Sequence, residues 1–98
     1  PDEELVPRAQ AGDFAAFEEL VLRHEERIYR LARRLLRNET DAQEVLQETL
    51  LSAWRNLPRF EGKSQFGSWL YRIGANAALM LLRSRGVGLV RWAEIWVL

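Results

Sequence analysis

This sequence predicts an all-α fold, a compact bundle of three main helices preceded by a short N-terminal one, and three observations lead there. Apolar residues recur at steps of three or four along most of the chain. No segment shows the period-two alternation of a half-buried strand. The residues that would break helices, Gly12, Pro58 and Gly62, fall at the spacing of short helix connections.

Each element follows from its residues. Residues 2–11, DEELVPRAQA, suit a short helix containing Pro7, and Gly12 would end it by taking the left-handed conformation that other residues avoid. Asp13 is a good N-cap for a long second helix in which Phe17, Leu20, Val21, His24, Ile28, Leu31, Ala32 and Leu35 form the apolar stripe, running to about Arg37. The stretch TDAQ at 40–43 has capping-box spacing, with Thr40 expected to satisfy the Gln43 amide, and opens a third helix to about Leu57. After the loop PRFEGKS, a fourth helix is expected from about Gln65 to Ser84. Its apolar face would carry Phe66, Leu70, Ile73, Ala77, Met80 and Leu81, flanked by Trp69. Gly74 inside this helix costs ~1 kcal/mol relative to alanine, which points to a close backbone approach there.

Composition bounds the function. With 98 residues and 48% hydrophobic content the chain makes one domain, near the lower end of sizes that bury a core unaided. It has no cysteine and one histidine, so no disulfide, thiolate metal site or histidine zinc site is expected, and a reducing cytoplasm fits. No apolar run reaches ~18 residues and the N-terminus lacks the order of a secretory signal, so no membrane insertion is expected. A start at proline reads as a piece of a longer chain. No cofactor motif, phosphate cradle or paired nucleophile and base occurs, so an enzyme is the remotest class, with no catalytic or metal residues to nominate.

The net charge is zero, but its distribution is uneven. Pro1 to Ala53 carry seven Arg/Lys against twelve Asp/Glu, a balance of −5, whereas Trp54 to Leu98 carry seven against two, a balance of +5. Two surfaces with different partners would explain this, as would halves of sequence that are not halves in space. On the third helix, Asp41, Glu44, Gln47, Glu48, Leu51 and Arg55 share the face opposite the apolar one of Val45, Leu46, Thr49, Leu50 and Ala53. An apolar Leu51 ringed by acids is either a modest protein-binding patch or a stray leucine on a solvated face. On the fourth, Ser68, Arg72, Asn76, Leu79 and Arg83 line up at steps of three or four. With Lys63 and Ser64 ahead of them they offer cations for phosphates, an amide that can read a base edge, and nearby rings. Trp69 and Tyr71 are assigned mostly to the core. His24 lies on the apolar stripe and reads as a boundary or core residue, and Arg23, Arg27, Arg30, Arg34 and Arg37 as a largely solvated basic stripe.

The stretches AGDFAAFEELVLRHEERIYRLARRLL and DAQEVLQETLLSAWRNLPRFEGKSQFGSWLYRIGANAALMLLRSR resemble region 2 of bacterial sigma factors of the extracytoplasmic-function (ECF) group. The resemblance covers about residues 2–85, with VLQET, AWRNLPRF and FGSWLYRIGAN in order as its specific motifs. It implies a helical domain that docks on the β′ clamp coiled coil of RNA polymerase and helps recognise and open the promoter −10 element, with no covalent chemistry. It assigns core-polymerase binding to Glu44, Gln47, Glu48 and Leu51, on a face that also holds Asp41 and Arg55. It assigns capture of a base from the nontemplate single strand to Phe60, Lys63, Ser64 and Asn76, extended by Arg59, Ser68, Arg72 and Arg83 into the −10 DNA-binding set.

Three departures from the family stand out. Glu61 follows the loop phenylalanine where the family often has a basic residue; Leu79 and Met80 occupy commonly polar positions; and GVGLVRWAEIWVL after Arg85 replaces a polar linker to region 4, which the sequence does not contain. Residues 86–98 therefore read as an apolar tail, expected to pack on residues 1–85, against Leu79 and Leu82, or to pair with a second copy as a homodimer. Two readings remain: a sigma-type initiation module, and a diverged or truncated sigma-like module that binds polymerase or an anti-sigma factor without reading DNA.

Overall fold

The computed structural model describes residues 1–85, so the expected packing of the 86–98 tail, on its own domain or on a second copy, lies outside the described residues. Four α-helices follow in order: α1 (Asp2–Gln10), α2 (Phe14–Leu36), α3 (Glu39–Asn56) and α4 (Phe66–Ser84), with a 3-10 turn, Leu57–Arg59, after α3. No strand occurs among the described residues.

The helix ends follow from local chemistry. Gly12, at φ +102°, turns the chain out of α1 in a region closed to most side chains. The Ala16 amide donates to Asp13 Oδ1 at 3.2 Å, capping α2 as expected. Arg8 donates to Asp13 Oδ2 at 2.8 Å, and chiefly this bond, then the Ala16 amide, lowers the Asp13 carboxyl below its ordinary range. α2 ends with Arg37 in the left-handed conformation, φ 56°. The start of α3 differs from expectation. Asn38, not Thr40, is the N-cap, its Oδ1 accepting from the Asp41 amide at 2.9 Å, and Thr40 already lies inside the helix. An asparagine two residues earlier takes the extended cap conformation and satisfies the orphan amide first.

The core forms where α2, α3 and α4 meet. Leu20, Ile28 and Leu70 are essentially inaccessible to water, each contributing about 1.5–3 kcal/mol of transfer free energy. Thr49 is the buried polar side chain of this core, and its hydroxyl donates to the Val45 carbonyl at 2.7 Å. The packed stripe of α4 is Phe66, Leu70, Gly74, Ala78 and Leu82. Ile73, Ala77 and Leu81 are half-buried instead, and Met80 is 69% exposed, which corrects the expected face. The reason is close packing: a Cβ on Gly74 would stand 2.8 Å from Ile28 Cγ2, so the close approach of α4 to α2 is centred on Gly74, and the residues in line with it, Phe66, Leu70, Ala78 and Leu82, form the packed stripe in place of Met80. The close backbone approach expected at Gly74 is present. Leu79, grouped with the polar stripe, is half-buried against the cluster around Leu31, Leu35 and Val45.

Candidate functional site

The outer face of α3 is formed by one uninterrupted helix, so its residues hold fixed spacing without further support. Glu44, Gln47, Glu48 and Arg55 are exposed along it, and Leu51 is 60% exposed. Arg55 approaches Glu48 at 3.6 Å, both side chains in water. Asp41 sits apart at the start of the helix, its carboxylate 2.8 Å from the guanidinium of Arg85 at the end of α4. Leu51 is not solitary. It borders an apolar depression of about 350 Å³ with Phe14, Leu22 and Trp54, and Glu18 and Glu25 also line it. Phe14 is 53% and Leu22 71% exposed. Sequence reasoning missed these two residues, although both fall off the buried stripe of α2 and so carried the signal.

The second region is a cleft of about 770 Å³ beneath the loop that follows α3 and the 3-10 turn. Its walls come from α1, from His24 and Arg27 of α2, from the loop, and from the first residues of α4. Gly62, at φ +77°, gives the loop its turn. Phe60 is half-buried, its ring 5.0 Å from Trp69 and 6.2 Å from Phe66, edge-on to the latter. Lys63 is exposed, with its ammonium 3.4 Å from Glu61. Ser64 Oγ accepts from Arg72 at 3.3 Å, so these two residues are joined across the loop and α4. Ser68 lies on the cleft wall and Arg59 is exposed at the end of the 3-10 turn. Trp69 packs on Phe60 and Phe66, and Tyr71 lies under the Arg27 guanidinium at 4.2 Å, a contact of about 0.5–1 kcal/mol at an exposed site.

Asn76 is not in this cleft. It lines a separate groove of about 470 Å³ between α3 and α4, beside Glu44, Glu48, Ser52 and Met80. Eight residues beyond Ser68, it is about 12 Å farther along α4, and Arg83 is exposed farther still, in the last turn. The expected DNA-binding set thus divides between a loop cluster of Arg59, Phe60, Lys63, Ser64, Ser68 and Arg72, and the groove-facing Asn76 with Arg83 beyond it.

Two supports of the cleft escaped the sequence reading. The side-chain amide of Gln10 donates to the carbonyls of Leu57 and Phe60. His24 Nε2 lies 2.8 Å from Asp2 Oδ2, and the ring leaves no room for a side chain on Gly67, where a Cβ would stand 2.8 Å from His24 Cε1. Among the described residues no group of three or more His, Cys, Asp or Glu could hold a metal ion, and no helix is long and apolar enough to cross a membrane.

The family model for sigma-70 region 2 matches residues 20–87. The chain belongs to the sigma-70 region 2 family. Curated relatives agree with this placement and are sigma factors, not enzymes. The RNA polymerase sigma-H factor of Pseudomonas aeruginosa is 44% identical over 85 residues, which are 87% of this chain and 44% of the relative. The ECF RNA polymerase sigma factor SigM of Mycobacterium tuberculosis is 43% identical over 82 residues, 84% of this chain and 42% of that protein. The chain thus spans less than half the length of the curated relatives it matches. Its fold is also that of a solved region 2, an NMR structure of an engineered region 2 of sigma-E in complex with GTAAAA. That structure superposes with a TM-score of 0.80 at 37% identity, covering 88% of this chain and 90% of the other. The sigma-70 region 2 match begins inside α2, so α1, with Gln10 and Asp2, lies outside the residues it covers.

Proposed function

We propose that residues 1–85 work as a transcription-initiation module with two contacts. The outer face of α3 binds the β′ clamp coiled coil of the RNA polymerase core through Glu44, Gln47, Glu48 and Leu51, with Arg55 beside them and Asp41 at the margin. The loop cleft takes a base of the nontemplate single strand of the promoter −10 element between Phe60, Lys63 and Ser64, with Arg59, Ser68 and Arg72 along the backbone path. Asn76 and Arg83, farther along α4, meet the adjoining DNA. The place of action is the cytoplasm, and an anti-sigma factor would compete for the acidic face.

The observation that carries this reading is that a solvent-facing acidic surface with an exposed apolar centre and a ring-walled cleft with cations at its mouth occur on different parts of one family-defined fold. A basic helical partner suits the first, since opposite charge steers encounter and Leu51 offers apolar contact. An unstacked base suits the second, because rings and a polar rim can restore stacking and hydrogen bonds lost on leaving the strand. A second reading, a sigma-like interaction module that no longer reads DNA, is favoured by the Glu61–Lys63 pair, which places a carboxylate where a phosphate would come.

Calorimetry against the isolated β′ clamp coiled coil tests the first contact. Saturable binding should weaken at least about tenfold in the Gln47→Ala, Glu48→Ala double variant, with helicity unchanged. A folded wild-type chain that does not bind would remove the polymerase reading. Binding to the clamp without any measurable binding to single-stranded GTAAAA would select the second reading.

A further inference from the structure

We propose that Gln10 is the positioning residue of the loop cleft: by fixing the path of the chain out of the 3-10 turn, it sets the cleft's selectivity among single-stranded bases. The inference rests on the single-strand reading above and deepens it.

Gln10 is the last residue of α1, and its half-buried Nε2 donates to Leu57 O at 3.1 Å and to Phe60 O at 2.8 Å. A side-chain amide has two N–H donors, and these two carbonyls take both. The Leu57 carbonyl also accepts the Phe60 amide at 3.0 Å, the bond that closes the turn. Gln10 therefore spans the turn from its first carbonyl to the one just past its end. Phe60 is the first extended residue beyond the turn, at φ −68°, ψ 119°. With the Phe60 amide already on Leu57 O, holding the Phe60 carbonyl fixes both peptide planes that flank its Cα, and with them the Cα–Cβ direction from which the ring meets Trp69 and Phe66.

The base from which Gln10 acts is itself anchored. Leu5 and Ala9 bury α1 against the core, and Asp2 ties its first turn to His24 at 2.8 Å and to Arg23 at 3.2 Å. Farther along the loop, Lys63 with Glu61 and Arg72 with Ser64 are exposed contacts open to competition from water. The sheltered hold on the loop's entry is the Gln10 amide. A fixed cleft discriminates among bases by shape and hydrogen-bond geometry, whereas a slack one accepts any base that can stack. Loss of the two bonds should thus be read in selectivity more than in fold.

The test uses Gln10→Met, similar in length but without donors, and Gln10→Glu, nearly isosteric but with a carboxylate facing two carbonyls. The 98-residue chain and each variant are titrated with single-stranded DNA GTAAAA and with hexamers carrying one substituted base, and separately with the clamp coiled coil. Both variants should keep wild-type clamp affinity and helicity, bind GTAAAA about tenfold more weakly, and lose most of their preference among hexamers. Gln10→Met discriminating as sharply as wild type would overturn the inference and leave the single-strand reading standing. A wild-type chain that binds the hexamers without preference would likewise overturn the inference alone, and one that binds none of them would overturn both. If the variants fail to fold, NMR of the wild type decides. The Gln10 side-chain amide signals should move with GTAAAA and stay put with the clamp; signals unmoved by GTAAAA would overturn the proposal.

Discussion

The outer face of α3 is carried by one helix, whereas the loop cleft draws its walls from α1, α2, the loop and the start of α4. On the first, neighbouring side chains keep their spacing because the backbone ladder beneath them does. On the second, helix periodicity does not fix where Phe60 stands relative to Ser68 or His24. That geometry depends on contacts spanning up to 50 residues of sequence, such as Gln10 to Phe60. A face made by periodicity should therefore tolerate single substitutions elsewhere, while a composite cleft should fail at distant supports.

Three changes sharpen or break this contrast. Gly74→Val should have the largest effect, because its Cβ would stand 2.8 Å from Ile28 Cγ2 in the shared core, with Thr49 Oγ1 at 3.5 Å. Overpacking of this kind should destabilise by about 3 kcal/mol, or roughly 15 °C in Tm by thermal unfolding. Both binding activities should disappear together on heating. A variant as stable as wild type would show that the α2–α4 contact is looser than described.

Gly67→Ala should separate the two regions. The new methyl displaces the His24 ring, which is held on Asp2, and so loosens α1 at the cleft wall, although the helix regains ~1 kcal/mol of propensity. Single-strand binding should fall about fivefold. Affinity for the clamp coiled coil should stay at its wild-type value, and an equal loss of both would break the contrast. Asp13→Ala, at the exposed junction of α1 and α2, should give the smallest change, a lower Tm at neutral pH with both affinities intact. Its sign with pH is fixed. The carboxyl titrates below its ordinary range in the folded chain, so its contribution is complete above that range and is lost as pH falls through the lowered value. The Tm gap between wild type and Asp13→Ala should accordingly narrow in acid.

The same contrast explains what the sequence disclosed. Helix order, the Gly12 stop, the Asp13 cap and the solvent face of α3 were all legible, because each depends on residues within a turn or two of one another. Where two local signals competed, at Asn38 and Thr40, the wrong one was preferred, since the two motifs differ only in which oxygen reaches an orphan amide first. The core face of α4 was misread for another reason. Hydropathy ranks Met80 and Ile73 above Gly74 and Ala78, but close helix packing selects for smallness, which a periodicity count does not weigh. In the cleft, the loop residues were visible, yet the grouping of Asn76 with them was not supported by position, and Gln10 and Gly67 gave no local sign of their partners.

The chain has no cysteine and one methionine, so its only sulfur atom is that of Met80, in the groove between α3 and α4. A methyl label confined to methionine would give a single resonance from a point flanked by Glu48 on one side and Asn76 on the other. One spectrum could then report, without any further substitution, whether a partner has come to the α3 side, the α4 side, or both.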